Sequence, residues 1–156
     1  MLMQLSTVSK TLFWTLHPIH VILSALATAG MYNLHRKKKS LLSTVVIGYV
    51  GAIGIATLSD SLIPYLGERL LDLPNRRIHV GFIEKWWLVN PLAIGGIAIA
   101  YLKPRTKMPH FGHVLLSTWA SLFHIVMALG EPVGIYTVIL IAVFLFAAVM
   151  FDFSTK

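Results

Sequence analysis

The sequence predicts an all-α integral membrane protein: a bundle of about five transmembrane helices, with a short amphipathic interfacial helix between spans 2 and 3. Three observations carry that prediction. Hydrophobic residues make up 56 % of the 156 and charged residues only 12 %, far from the balance of a soluble domain. The apolar residues gather into runs of roughly 17–22, the length that crosses a bilayer as a helix. Basic residues cluster in short connections between those runs, as expected of cytoplasmic loops.

The chain, 1–156, reads as a single transmembrane helical domain. Its net charge of +7 would suggest a nucleic-acid partner in a soluble protein. Here topology and anionic headgroups explain the charge, so membrane lipids are the expected partner and nucleic acid is not. A homo-oligomer or a larger membrane complex is also compatible with so small a bundle. There are no cysteines, which removes disulfides, thiolate metal sites, covalently attached haem and cysteine nucleophiles together.

The first span is expected at about 11–32. It resembles a secretory signal in having Lys10 before an apolar run and small residues at its end. Two histidines, Pro18 and a basic cluster placed after the run (His35, Arg36, Lys37, Lys38, Lys39) favour a membrane span instead. The second span, 41–60, is rich in glycine (Gly48, Gly51, Gly54), which reads as close helix packing. It is expected to end at Ser59-Asp60-Ser61. The outer segment 61–85 is the least apolar. Ile63, Leu66, Leu70 and Leu73 recur at helical spacing, so 62–73 reads as an amphipathic helix lying in the interface. Pro74-Asn75 breaks it, and Trp86-Trp87 marks the next membrane boundary.

The third span is about 86–102, followed by the second basic connection at 103–109. The fourth, 111–130, lies in the stretch from Met108 to Gly130, which carries His110, His113, Ser117, Ser121 and His124 within an arc of roughly 80° at 100° per residue. Gly130-Glu131-Pro132 forms a turn, and the fifth span, 135–151, has no ionisable residue before Asp152. Four spans with a re-entrant segment are the alternative count. With five crossings both basic loops fall on one side, so the N-terminus is outside and the C-terminus cytoplasmic. Short loops on a compact chain point to a bacterial inner membrane.

Orientation gives depth, at about 1.5 Å per helical residue. His17, His20, Asp60 and His124, with His79 and Glu84 from the outer loop, are all expected in one outer-leaflet layer. His17, His20, Ser24 and Thr28 form a polar stripe on the first helix, facing the stripe on the fourth. Imidazoles three residues apart, with a third imidazole and a carboxylate from other helices, suit a borderline divalent metal such as zinc. The expected ligands are His17, His20 and His124, with Asp60 or His79 as the fourth. Ser24, Ser121, Tyr49 and Thr57 are expected to fix the imidazole tautomers through hydrogen bonds. His110 and His113 are placed at the cytoplasmic mouth with peripheral roles, and His35 is solvated.

Four functions fit this site. The first is a polytopic membrane metalloprotein that handles or transports the divalent ion. The second is a membrane-embedded zinc hydrolase acting on a lipid or lipid-linked substrate, with Asp60 or Glu84 as general base. The third is a b-type haem subunit with His17 or His20 paired to His124. The fourth is a structural subunit of a membrane complex, whose histidines only pack. No motif decides whether the protein is an enzyme: there is no nucleophile elbow, phosphate loop or H-E-x-x-H.

Overall fold

The computed structural model describes residues 2–38, 40–104, 107–129 and 135–154, and those residues form helices and connections with no strand. Helix α1 (Leu2–His35) is central and packs against α2 (Leu41–Thr57), α5 (Trp86–Leu102) and α6 (Lys107–Ala128). A π turn (Leu58–Leu62) continues α2 into α3 (Ile63–Leu70). A single turn, α4 (Gly81–Glu84), precedes α5. Helix α7 (Ile135–Ser154) packs on α6, α3 and the π turn.

Polarity is inverted relative to a soluble protein. His17, His20, Asp60, Glu68, His113, His124 and Asp152 are all buried, whereas Leu42 is 74 % and Phe111 65 % exposed. Burying ionisable groups while presenting large apolar side chains outward is stable where the surroundings are hydrocarbon. Among the described residues, three helical stretches are long and apolar enough to cross a membrane: Thr7–His35, Leu41–Leu70 and Pro109–Ala128. Trp86–Leu102 and Ile141–Ser154 are apolar but shorter.

Small residues set the close packing. A Cβ at Gly96 would lie 2.6 Å from the carbonyl oxygen of Ile22, so α5 and α1 touch backbone to backbone there. Gly48 abuts Ile97 of α5 and Ala29 of α1, Gly51 abuts Thr28 of α1, and Gly54 meets nothing within 4 Å.

Several expected boundaries move. Helix α1 starts at Leu2, well before residue 11, because Ser6, Thr7, Ser9 and Lys10 weaken the apolar signal without breaking the helix. The second helix does not end at Asp60. It runs unbroken from Leu41 to Leu70, over 30 residues. The reason lies in Pro64, which has no N–H for the Asp60 carbonyl and whose ring would clash with it in a regular α-turn. The π turn absorbs that conflict by widening, with the Ile63 N–H reaching back to the Leu58 carbonyl. The segment 61–85 is therefore no single interfacial stretch, since its first ten residues belong to the long helix.

The long helix closes just after Leu70. Asp72 has φ 50°, while the Leu73 N–H reaches the Glu68 carbonyl (3.0 Å) and the Asp72 N–H that of Arg69 (3.2 Å). This is a Schellman closure, with aspartate where glycine is usual. The following loop crosses the end of α6, where the Asn75 N–H meets the Ala128 carbonyl at 3.3 Å. The turn expected at Gly130-Glu131-Pro132 lies outside the described residues.

Candidate metal centre

The centre is built where α1 meets the π turn. His17 and His20 are three residues apart, so both imidazoles leave α1 on one face. Asp60 sits in the middle of the π turn opposite them. Its Oδ2 lies 2.8 Å from Nδ1 of His17 and 2.6 Å from Nδ1 of His20. A carboxylate only accepts, so both Nδ1 atoms carry the protons that face it. Its Oδ1 accepts from Ser117 Oγ of α6 at 2.7 Å and from Ser59 Oγ at 2.9 Å, a hydroxyl it shares with the Ile55 carbonyl, also at 2.9 Å. Asp60 therefore receives four donors from three elements, which is what a carboxylate removed from water requires. Ser121 Oγ donates to the Ser59 carbonyl at 2.9 Å, stitching the π turn to α6.

The surroundings fix the His17 ring. Phe13 stacks on it at 5.3 Å and 16°, and Gly81 lies so close that a Cβ there would be 2.1 Å from Nε2. The glycine lets the loop before α5 close over the imidazole.

A second group adjoins the first. His20 turns its other nitrogen, Nε2, toward Asp152 of α7, with Oδ2 at 3.5 Å. Nδ1 of His113 stands 3.8 Å from the same oxygen, too long for a hydrogen bond. The His20 and His113 rings are nearly parallel, at 5.6 Å and 9°. His110 follows, its Nδ1 3.4 Å from Nε2 of His113. In each trio, His17–His20–Asp60 and His20–His113–Asp152, one ligand atom per residue lies within 4.8 Å of the others, and all five residues are buried.

A third cluster lies beyond Phe13. His124 Nδ1 donates to Glu68 Oε1 at 2.6 Å, and the other oxygen of Glu68 accepts the Arg77 N–H at 3.3 Å. His79 packs against His124 with ring centroids 5.3 Å apart, and its Nδ1 bonds Glu84 at 3.1 Å. Phe13 packs against both rings, its centroid 5.3 Å from that of His17 and 5.3 Å from that of His124.

Of the expected ligands, the structure brings His17, His20 and Asp60 together. It sets His124 and His79 apart, with Glu68 and Glu84. The physical reason is the continuation of the long helix, which places Asp60 inside the bundle and carries Glu68 to the level of His124. Glu84 caps its own loop by accepting the Val80 N–H and is not beside the buried trio. The hydroxyl of Tyr49 goes to Asn90, not to an imidazole. Ser24 is fully buried on α1, and Thr57 is half-buried at the end of α2.

Sequence reasoning passed over Glu68, Asp152 and the involvement of His113. Asp152 carried a usable signal as the only ionisable residue of its apolar run, which is the criterion that singled out the histidines. Glu68 carried less, because an acid in an amphipathic segment ordinarily faces water.

These donors can hold a metal. Around a tetrahedral zinc with bonds of about 2.0–2.1 Å, ligand atoms sit about 3.3 Å apart. The two N–O separations at Asp60 are shorter because protons bridge them. A modest spreading would let an ion replace those protons, each imidazole releasing its proton or moving it to Nε2. No protein-family model, curated protein or solved structure matches the chain.

Proposed function

We propose that the chain is a polytopic membrane metalloprotein that binds a divalent ion, zinc fitting the donors best, inside its helix bundle and handles or transports it. The observation that carries this reading is the convergence of two imidazole Nδ1 atoms on one buried carboxylate, at 2.6 and 2.8 Å. Two nitrogens and one oxygen form a borderline donor set with room for a fourth ligand, the pattern of a site that exchanges its ion rather than locking it in. Continuation of the polar residues through His113 and His110 supports a path along the bundle axis.

In this reading α5 and α7 also cross, giving five spans. Both basic connections then share the cytoplasmic side, and lipid covers the apolar outer faces.

The other readings find less support. A haem between His17 or His20 and His124 would need the space that the Phe13 ring fills. For a hydrolase, Asp60 is already engaged by four donors, and Glu84 belongs to an exposed loop, so neither is poised to activate a water. The test is elemental analysis of the detergent-purified full chain, before and after zinc loading. Bound divalent metal that is lost in His17→Ala and His20→Ala is the expected result. A folded wild type that neither carries nor takes up a divalent ion would overturn the proposal.

A further inference from the structure

We infer that the bundle holds a second divalent ion beside the first, with the His20 ring bridging the two. The inference rests on the reading of His17, His20 and Asp60 as a metal site and extends it to His20, His113 and Asp152. Its basis is the placement of His20, which has a carboxylate facing each ring nitrogen: Asp60 at Nδ1 (2.6 Å) and Asp152 at Nε2 (3.5 Å). The two buried trios share this one residue.

The spacings favour an ion over a hydrogen bond in the second trio. Asp152 Oδ2 stands 3.5 Å from His20 Nε2 and 3.8 Å from His113 Nδ1. Hydrogen bonds to carboxylates are shorter, whereas ligand atoms around a tetrahedral ion sit about 3.3 Å apart. Both imidazole distances to Asp152 are already near that spacing, while those to Asp60 are drawn in around protons. His113 also has the companion expected of a metal-bound imidazole, since its far nitrogen, Nε2, meets His110 at 3.4 Å.

Charge agrees. Asp60 pairs with His17 and His20, and Asp152 with His20 and His113. Binding of the second ion displaces the remaining N–H proton of His20 to solvent and leaves an imidazolate. Two dications against two carboxylates and that imidazolate carry one net positive charge, modest for a buried site with further neutral donors. With metal–nitrogen bonds of about 2.0 Å on opposite sides of one ring, the ions stand about 6 Å apart. An ion leaving the His17 side would meet its next ligand on the far edge of the same ring. Stepwise passage of this kind needs sites close enough to exchange and none too tight to leave.

The test strips the detergent-purified full chain with chelator, titrates it with Zn²⁺ and measures bound metal by elemental analysis after desalting. Two equivalents in the wild type and one in Asp152→Asn are expected, with His113→Gln as a second variant should Asp152→Asn fail to fold. One equivalent in the wild type, unchanged in the variants, overturns the bridged pair and leaves the first site standing. No bound metal overturns both. Loading with Cu²⁺ adds an independent readout: two cupric ions across one imidazolate give a half-field resonance that Asp152→Asn abolishes. An isolated-ion spectrum at two equivalents overturns the bridge.

Discussion

Replacing Asp60 with asparagine tests the centre most directly, because the side chain keeps its shape and loses its charge. Four donors point at the carboxylate, two imidazole N–H groups on Oδ2 and two serine hydroxyls on Oδ1. Hydrogen bonds to a charged acceptor contribute about 1.5–3 kcal/mol against about 1 for neutral pairs, and a stranded buried donor costs about 1–3 kcal/mol. Relief from burying a charge offsets part of this. A net destabilisation of about 2–4 kcal/mol is expected for the metal-free protein. The metal effect is separate. Structural zinc binding is worth about 10–16 kcal/mol over four ligands, so one ligand carries about 3 kcal/mol, or about a hundredfold in Kd. Thermal unfolding with and without zinc reads both quantities in one detergent at one scan rate. At zinc equal to about 100 times the wild-type Kd, the ion stabilises the wild type by about 2.7 kcal/mol and Asp60→Asn by about 0.4 kcal/mol. A variant that loses stability but keeps the full zinc-induced gain would show that Asp60 only ties the helices together, and the metal reasoning would fail.

Ser117→Ala removes one donor from Asp60 without touching a ligand, and zinc competition titration is expected to show a 10–100-fold weaker site; an unchanged Kd would mean the serine does not orient the carboxylate. Gly81→Ala places a Cβ against His17 Nε2 and is expected to push loop or ring away, lowering zinc affinity while the circular dichroism stays helical. His124→Ala leaves Glu68 buried without its imidazole and is expected to cost about 3–5 kcal/mol of stability. The same variant should bind as much zinc as the wild type, and a drop in stoichiometry would show that the clusters on either side of Phe13 work as one.

The helical membrane character was legible because it rests on bulk properties: apolar runs, few charges and basic connections. The polar stripes on α1 and α6 were legible from angular spacing alone, and they do face inward. The fate of Ser59-Asp60-Ser61 was hidden. Three polar residues followed by Pro64 carry the signature of a helix end, and a π turn that keeps the helix going adds only one residue per turn, which hydropathy does not register. The placement of His124 followed from that ending, whereas the grouping of His17, His20 and Asp60 did not depend on it. The depth match placed His124 beside Asp60, when the continued helix gives His124 a carboxylate of its own in Glu68. His113 was set aside by its position near a helix end, yet α7 brings Asp152 back against it. Pairings between antiparallel helices depend on where each begins and ends, the property that sequence patterns define least well.

The choice of partners bears on what the interior is for. Asp60, Glu68 and Asp152 are buried, and each pairs with imidazole: His17 and His20, His124, and His20 and His113. At Asp60, arginine in place of the imidazoles would have held the carboxylate more rigidly, with a fixed charge and a forked set of donors. It would also have closed the site, because guanidinium neither gives up its proton nor binds a metal. Imidazole does both near neutral pH. Under the proposed function that property matters, since an entering ion must take the place of a proton that the ligand can surrender and recover.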